Sequence, residues 1–483
     1  MGGGLLQLVA HGAQDAYLTG NPQITFWKGL FKRHTNFAME PFRINLTGMP
    51  MWGQKQSATL GRHADLAYST YLSIVLPRID RTKTGTPVIL WNNEQGRLGY
   101  NLLDYVEIEV GGQLIDRLYS EWLYLWDTLT SDYNTSYKLN QNVSGGLTVS
   151  GYSSFPESTS CSLNAPTGRP SHPNLLHVPL PFFYTKNPGA ALPLIALQYH
   201  EVKINIQWNK SQFVGHSGST PSGLNAISTL IAPPAPTSVA LYVDYIYLDV
   251  DERRRMAQES HEYLIEQVQF NEDKGVSAAS NRIDLTFNHP VKELVWVVQP
   301  ERFTNCKVAE PIVSNAVSAR AGVPRPTLGR LSPFTYTYLN QAESSAHTQP
   351  VFEQWLQING QDRMDRRFGD YFNEVQPLQH HTGTMRPLGF PVDAHQGRAG
   401  GSGAAPSYHQ AIYSYSFALK PEEHQPSGTC NFSRIDTATI VLAMSGDYII
   451  DEATDNNWNV RVYATNYNIL RIMSGMAGLA YSN

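Results

Sequence analysis

The chain has 483 residues, more than one ordinary hydrophobic core organises, so its length predicts roughly two to four domains. Its formal net charge of −5 excludes the global basic footprint of a nucleic-acid-binding protein. Only 16% of the residues are charged, and 37 glycines and 30 prolines punctuate the chain. This composition favours many short strands over helices with charged faces.

The cysteines and the N-terminus bear on the cellular compartment. Cys161, Cys306 and Cys430 are far apart and odd in number, which argues against a disulfide framework, and no pair has metal-ligand spacing. No basic stretch precedes an apolar core at the N-terminus, and no window approaches the ~18 apolar residues of a membrane span. We therefore expect reduced thiols in a soluble, uncleaved protein.

The N-terminal residues 1–25 are glycine-rich and then extended, because Pro22 restrains Asn21 to a non-helical conformation. We expect an arm that lies against something other than its own domain. Residues 23–37 interleave aromatic and basic side chains, which is compatible with nucleic-acid binding. The cluster is small and the chain is acidic, so the favoured interpretation is an amphipathic lead-in packed on its own domain.

From Phe42 onwards, apolar residues alternate with polar ones, which is typical of sheets with one buried face. The pattern predicts strands at 42–46, 66–76, 106–110, 202–208, 283–287, 291–298, 435–444 and 460–473. Long polar loops are predicted at 131–173, 309–333 and 377–406.

A mid-chain segment, 238–270, looks like a boundary between two domains. Residues 239–250 predict a strand that is apolar on both faces apart from Asp244 and Asp249, so its second face is expected to pack against a neighbouring domain. A short charged helix follows, with Asp251 as its N-cap. We expect the charged residues of this junction to fix the angle between the domains: Asp244, Asp249, Asp251, Glu252, Arg253, Arg254 and Arg255.

The two halves of the chain share a local pattern. Residues 108–119 and 356–368 both read as strand, glycine turn, Gln, Asp-Arg and aromatic, ending at Tyr119 and Phe368 respectively. Each half also ends in a tyrosine-containing strand, with Tyr242 in the first and Tyr463 in the second. The repeat predicts two tandem all-β domains of similar topology, each large enough for an eight-stranded sandwich.

Catalytic signatures are missing from the sequence: it contains no GxSxG, HExxH, P-loop or Rossmann glycine pattern, so no catalytic, metal-binding or cofactor-binding residue is assigned. His380 and His381 are interpreted as a solvated loop pair. A carboxylate pair for glycoside hydrolysis stays open, because such pairs meet in space rather than in sequence. Asn134 and Asn142 are candidate glycosylation sites, although the missing signal peptide favours unmodified side chains.

Several runs resemble the major capsid proteins of nucleocytoplasmic large DNA viruses of the algal-virus and giant-virus type. The opening runs GAQDAYLTGNPQITF (12–26) and RHTNF (33–37) are similar to the start of that family. The remaining runs are YVDYIYLDVDERRR (242–255), SHEYLIEQ (260–267), HPVKEL (289–294) and YNILRIMSGM (467–476).

The resemblance implies an all-β fold of two tandem eight-stranded jelly-roll β-sandwiches with short helices and long loops. The expected domains are an extended arm at 1–25, jelly roll 1 at 26–258 and jelly roll 2 at 259–483. The implied function is that of a non-catalytic major capsid protein without cofactors, which assembles in the host cytoplasm and resides in the virion.

The resemblance also implies partners. Homotrimeric, pseudo-hexagonal capsomers would contact neighbouring capsomers, minor capsid and penton proteins and inner viral membrane proteins, with no direct nucleic-acid contact. The arm residues expected to touch neighbouring or minor capsid proteins are Asp15, Tyr17, Asn21, Pro22 and Phe26.

Two other function classes compete with this one. A carbohydrate-active β-sandwich enzyme or lectin would want a signal peptide and a usable acidic pair, and the signal peptide is missing. An internal nucleic-acid-binding protein is disfavoured by the net charge.

Overall fold

The computed structural model describes residues 3–27, 29, 31–77, 88–91, 97–144, 174–218, 234–301, 334, 336, 350–383, 411–444 and 457–481. The predicted loop 309–333 and most of the predicted loops 131–173 and 377–406 lie outside these residues.

The first half forms a sandwich of two four-stranded antiparallel sheets. One sheet contains, in spatial order, β1 (Phe37–Asn45), β10 (Ser238–Leu248), β3 (Leu66–Leu76) and β7 (Asn174–Pro179). The other contains β2 (Lys55–Thr59), β8 (Val202–Trp208), β5 (Leu103–Val110) and β6 (Gln113–Tyr119). A separate two-stranded ribbon pairs β4 (Val88–Trp91) with β9 (Gly215–Gly218).

The second half repeats this arrangement. Its first sheet has the order β11 (His261–Val276), β20 (Trp458–Met473), β13 (Pro290–Pro300) and β17 (Ile412–Ser416), and its second has β12 (Ser280–Asp284), β19 (Ala438–Met444), β14 (Val351–Ile358) and β15 (Gln361–Asp362). Three short strands flank these sheets, namely β16 (Arg367–Phe368) on β14, β18 (Cys430–Asn431) on β13 and β21 (Met476–Leu479) on β20.

The strand orders of the two halves correspond position by position, which confirms the predicted pair of eight-stranded jelly rolls. Among the described residues, strands pair only within 37–248 or within 261–479. The same hairpin also recurs in both halves. Gly111 and Gly112 turn the chain between β5 and β6, and Asn359 and Gly360 do so between β14 and β15, all four with positive φ angles. Two consecutive left-handed residues match the twist of the strands, and glycine and asparagine adopt them readily.

Burial along the strands shows where the cores lie. In β10, Leu241, Val243 and Tyr245 are fully buried, whereas Tyr242 and Asp244 on the other face are only half-buried. The expectation that this second face packs on the sister sandwich is therefore wrong for the single chain. The strand that is buried on both faces is β20, its counterpart in the second jelly roll, throughout residues 458–468.

Helices precede the first strand and connect several of the later ones. They are α1 (Gly3–Val9), α2 (Ala16–Thr19), α3 (Leu98–Asn101), α4 (Ser120–Thr130), α5 (Tyr133–Ser144), α6 (Phe183–Lys186), α7 (Ser211–Val214), α8 (Val250–Gln258) and α9 (Gln376–His380), with a π-helical turn at Tyr371–Val375 before α9. Short 3-10 turns lie at Ala13–Asp15, Pro188–Ala190, Leu194–Ala196 and Phe432–Arg434. None of the helices in the described ranges is long and apolar enough to cross a membrane.

Three of these helices correct the sequence interpretation. The polar segments predicted as loops at 131–173 and 377–406 begin with α5 and α9 respectively. The N-cap of α8 is Asp249 rather than Asp251, because β10 ends at Leu248 and the chain is already extended at Asp249. The Asp249 carboxylate accepts the Val250 N–H at 2.8 Å, and Asp251 lies in the first helical turn.

Candidate functional site

Helix α4 is the element of the first jelly roll that lies against the second. Its sequence, SEWLYLWDTLT, buries Trp122, Tyr124, Leu125 and Leu129, among others. A helix that is apolar on nearly every side needs cover from more than its own sandwich. The second jelly roll supplies that cover through the outer face of its β11–β20–β13 sheet.

A buried ion pair joins the start of α4 to β20. The Arg461 guanidinium donates to both carboxylate oxygens of Glu121 at 2.6 Å, and the side chains are only 9% and 12% exposed. The Tyr463 and Tyr336 hydroxyls donate to the same carboxylate at 2.6 and 2.9 Å. Burial alone would lower the pKa of Arg461, but the carboxylate of Glu121 outweighs it and holds the pKa above its ordinary value. The four donated hydrogen bonds compensate the desolvation of both charges.

A second charged cluster surrounds Trp126, one turn further along α4. Glu266 of β11 lies 3.0 Å from the Lys186 ammonium of the first jelly roll and 2.8 Å from that of Lys292 of the second. The Lys186 ammonium also lies 4.1 Å from the centre of the Trp126 ring. Burial would raise the pKa of Glu266, but the two ammonium groups hold it at about 2. The carboxylate is therefore ionised at neutral pH and links the two sandwiches.

Side chains close the edges of the two sheets where β6 faces β11. The Asp116 carboxylate accepts the Val268 N–H at 3.1 Å and the Arg117 N–H at 2.9 Å. In the opposite direction, the Gln267 amide donates to the Ile115 carbonyl. These groups replace ladder hydrogen bonds at two edges that would otherwise be open. Burial raises the pKa of Asp116 to about 7.

The C-terminal end of α4 is capped by the second jelly roll. The Thr382 hydroxyl donates to the Thr130 carbonyl at 3.0 Å, and the Gly383 N–H donates to the Leu129 carbonyl at 2.7 Å. A Cβ on Gly383 would overlap that carbonyl, so the approach requires glycine. Carbonyls that a helix end leaves without partners are thus satisfied across the junction.

The predicted solvated histidine pair is wrong for His381. Its side chain is 1% exposed and lies between two carboxylates, with Nε2 3.4 Å from Glu293 and Nδ1 3.2 Å from Glu422. His380 is partly exposed and contacts the Leu419 carbonyl. The described residues contain no group of three His, Cys, Asp or Glu side chains placed to hold a metal ion.

The charged residues that the sequence analysis assigned to the junction lie mainly on or beside α8. Arg253 pairs with Asp65 of the first jelly roll at 3.0 Å, and Arg255 pairs with Glu259 at 3.1 Å on the surface of the helix itself. Asp249, Asp251, Glu252 and Arg254 belong to the cap and first turns of α8, and Asp244 lies on the outer face of β10. Within the described residues, their ion pairs stay between 65 and 259, so their influence on the inter-domain angle stays a prediction.

The residues that do join the jelly rolls were missed by the sequence analysis, although they leave a signal. Glu121 is the single acidic residue in the apolar run 119–126, and Arg461 is the single charge in the run 458–467. A lone charge in a segment that is apolar on both faces indicates a buried partner of opposite sign.

The described part of the N-terminal arm, residues 3–25, contains no buried residue. None of residues 3–27 is buried, and Tyr17 and Phe26 are 91% and 106% exposed. Asp15 accepts the Gly12 N–H at 2.7 Å, Asn21 adopts a φ of 51°, and both Asn21 and Pro22 are exposed. The arm contains α1 and α2 and is not extended throughout. The expectation that 23–37 packs on its own domain is wrong, because its described aromatic side chains face solvent.

The candidate glycosylation sites lie on α5. Both Asn134 and Asn142 are exposed there, so their modification stays a prediction.

Comparisons with known proteins identify the family. A family model described as "Major capsid protein N-terminus" matches residues 25–249, and one described as "Large eukaryotic DNA virus major capsid protein" matches 252–390 and 398–478. The major capsid proteins of Phaeocystis pouchetii virus and Paramecium bursaria Chlorella virus 1 are 42% and 37% identical, each over 100% of both chains. The chain belongs to the major capsid proteins of large eukaryotic DNA viruses.

Solved structures agree with this assignment. A chain of a quasi-atomic model of the PBCV-1 virus capsid is 32% identical, with a TM-score of 0.65 over 95% of this chain and 100% of that one. The Faustovirus major capsid protein, at 12% identity and a TM-score of 0.62, shares the fold. The relatives of this capsid protein are structural components of virions and not enzymes. Its buried charges therefore have a structural role, because they hold the two jelly rolls in one orientation.

Breaking the Glu121–Arg461 pair should destabilise this capsid protein strongly. Arg461→Met leaves a carboxylate buried without its cation, which costs about 3–5 kcal/mol of unfolding free energy. Arg255→Met, the control at an exposed pair, should change it by less than about 0.5 kcal/mol. Urea titrations measure both values, and the double variant Glu121→Gln with Arg461→Met should recover part of the loss. Similar values for Arg461→Met and Arg255→Met would show that the buried pair does not hold the junction.

Asp116 should make the stability of the junction depend on pH. Its folded pKa of about 7 exceeds the ordinary 3.8, so the stability from its bound proton is fully present below about pH 4 and is lost as the pH rises to 7. Asp116→Asn keeps an acceptor for both amides and does not titrate. Between pH 5 and pH 8 the wild-type chain should lose about 2–3 kcal/mol relative to this variant. Urea titrations at both pH values test this, and a constant difference between the chains would refute it.

Proposed function

We propose that three copies of the chain assemble into a pseudo-hexagonal capsomer, and that these capsomers tile the icosahedral shell of a large double-stranded DNA virus. The observation that carries the proposal is the pairing of two jelly rolls with the same strand order in one body, held by buried ion pairs. Three such bodies supply six similar units around one axis. A ring of this kind closes through one heterologous interface used three times.

The N-terminal arm is proposed to contact neighbouring capsomers or minor capsid proteins. Its apolar side chains are exposed in the single chain, and each Å² of apolar surface left in water costs about 25 cal/mol. Contiguous exposed apolar segments mark surfaces that a partner covers. The residues proposed to make these contacts are Asp15, Tyr17, Asn21, Pro22 and Phe26.

Further partners follow from the same proposal. Penton proteins would meet the capsomers at the vertices of the shell, and inner viral membrane proteins would meet them from inside. Assembly is proposed to take place in the host cytoplasm. No direct contact with the genome is proposed, because a net charge of −5 gives no driving force towards phosphate.

Native mass spectrometry of the purified chain, combined with negative-stain imaging, tests the capsomer. We expect a mass of three chains and particles with a hexagonal outline. A monomer without that outline would overturn the proposal.

Deleting residues 1–25 should separate capsomer formation from shell assembly. No residue of the arm in the described range is buried, so the truncated chain should fold and form trimers as the full chain does. Its yield of closed shells should fall sharply, because contacts between capsomers or to minor capsid proteins are lost. Sedimentation of assembled particles measures that yield. Loss of the trimer itself would show that the arm belongs to the trimer contact.

A further inference from the structure

The charged cluster beside Trp126 continues along β13 to a buried histidine. Lys292, whose ammonium pairs with Glu266, is followed in β13 by Glu293, and the two side chains are 0% and 1% exposed. The His381 imidazole, directly after α9, is equally buried and lies beside the Glu293 carboxylate. This histidine therefore belongs to the buried charges at the junction of the two jelly rolls.

Among the described residues, the groups around His381 carry more negative than positive charge. Two carboxylates contact the ring, Glu293 of β13 and Glu422 of the segment between β17 and β18. The other groups of the cluster are Lys186 of α6, Glu266 of β11, Lys292 of β13, Tyr467 of β20 and His424, and α4 adds the Trp126 ring. Burial raises the pKa of Tyr467 to about 12, so its hydroxyl is neutral. Three carboxylates therefore face two ammonium groups, and one negative charge lacks a cation unless an imidazole is protonated.

The ring of His381 has a carboxylate oxygen at each nitrogen. Nε2 lies 3.4 Å from Glu293, and Nδ1 lies 3.2 Å from Glu422. A neutral imidazole carries one N–H and one lone pair, so in either tautomer a lone pair would face an anionic oxygen. Nε2 and the facing Glu293 oxygen have no hydrogen-bond partner among the described residues, so only opposite charges compensate their burial. The geometry therefore favours the imidazolium, which presents a proton to both carboxylates.

The two carboxylates themselves are poor places for this proton. Glu422 accepts the Thr382 N–H at 2.9 Å, and Glu293 accepts the Thr465 hydroxyl at 3.3 Å. Burial would raise the pKa of Glu422, but hydrogen bonds from His381 and Thr382 outweigh it and lower the pKa. A free imidazole is also more basic than a free carboxylate by about two pH units. A proton bound between these groups therefore resides on the ring.

His424, the other imidazole of the cluster, suits the missing charge less well. Its Nδ1 lies 3.9 Å from Glu266, and its side chain is 24% exposed. Glu266 already pairs with two ammonium groups, at 3.0 and 2.8 Å. Within the described ranges, by contrast, Glu293 and Glu422 form no ion pair other than the one with His381.

We propose that His381 is a buried proton-binding site whose imidazolium supplies the third positive charge of the junction between the two jelly rolls. The ring connects β13 to the segment that caps α4, because Thr382 and Gly383 follow it directly and donate to the carbonyls at the end of that helix. Without the proton, two carboxylates face an uncharged ring and the cap loses its anchor. The site lies within one chain, so this inference goes beyond the capsomer and does not depend on it.

The bound proton makes the junction firmer in acid. A histidine of the unfolded chain releases its proton near pH 6.5, roughly its ordinary value. The stability that the proton adds is thus fully present below about pH 6.5 and is lost as the pH rises, until the folded chain releases the proton too. Asp116, whose pKa burial raises to about 7, acts in the same direction. Glu266, with its pKa of about 2, stays ionised, so mild acid tightens the contact and alkaline conditions loosen it.

Urea titrations of matched variants between pH 6.5 and pH 8.5 test the site. His381→Gln keeps a polar side chain but binds no proton, and Asp116 is present in every chain compared. The ratio of folding constants, wild type over His381→Gln, should fall by about tenfold across this range. The control His380→Gln, at the neighbouring ring that contacts the Leu419 carbonyl, should give a constant ratio. A constant ratio for His381→Gln would overturn the proposal, as would a fall that only His424→Gln produces.

A charge rescue separates the proton from a merely structural role of the ring. Adding Glu293→Gln to His381→Gln leaves two carboxylates against two ammonium groups, so the folding constant at pH 7.5 should rise by about tenfold or more. Adding Glu259→Gln instead removes the same charge at an exposed helix end and should recover nothing. Equal effects of the two additions would contradict a missing positive charge.

Nitrogen NMR of the chain labelled with 15N-histidine observes the proton directly. At pH 7.5 solvated imidazoles are mostly neutral, with one protonated and one bare nitrogen. The wild type should show one further ring with both nitrogens protonated, and His381→Gln should lack exactly that pair of signals while His424→Gln retains it. A wild-type spectrum with only neutral rings at this pH, or a charged ring that survives His381→Gln, would overturn the proposal.

Discussion

The two jelly rolls depend on one buried ion pair, between Glu121 at the start of α4 and Arg461 in the first half of β20. Neither charge could stay buried without the other, and neither strand nor helix could bury its outer face without the opposite jelly roll. The tyrosine hydroxyls, the Lys186–Glu266–Lys292 cluster and the trans-capped end of α4 extend the same principle along the helix. Folding of each half is thereby coupled to one orientation of the other.

Charged contacts suit this junction better than purely apolar ones for a geometric reason. An apolar surface tolerates small rotations, whereas a bidentate guanidinium–carboxylate pair with two further donors fixes both distance and angle. A capsomer built from six similar units needs a defined angle at every step. The internal junction sets that angle with charges.

Much of the fold could be predicted from the sequence because its signals are local. The β-type run at 66–76 predicted β3 with the bounds that the structure shows, and the repeated glycine turn located the same hairpin in both halves. The N-cap of α8 was misplaced by two residues, because Asp249 and Asp251 are equally good caps by residue type and only the end of β10 decides between them. Helix α5 was missed because its sequence is polar like that of a loop, and α9 because it has only 5 residues.

The junction could not be located from the sequence, because its partners are distant along the chain. Glu121 and Arg461 are 340 positions apart, and no local pattern connects them. The conspicuous charges of α8 were assigned to the junction instead. Their ion pairs lie within α8 or join it to the first jelly roll. The packing of residues 23–37 on their own domain was wrongly predicted for a related reason. Aromatic residues predict burial, but they do not indicate whether the covering surface belongs to the same chain.

The buried junction thus fixes how the two jelly rolls of each chain enter the proposed capsomer. A reconstruction of the assembled capsomer at side-chain resolution would show that junction in every copy. We expect Arg461 to pair with Glu121 between the two jelly rolls of each chain, with successive jelly rolls related by rotations of about 60°. A capsomer in which this pair faces solvent, or in which the jelly rolls of one chain meet through other surfaces, would contradict the account.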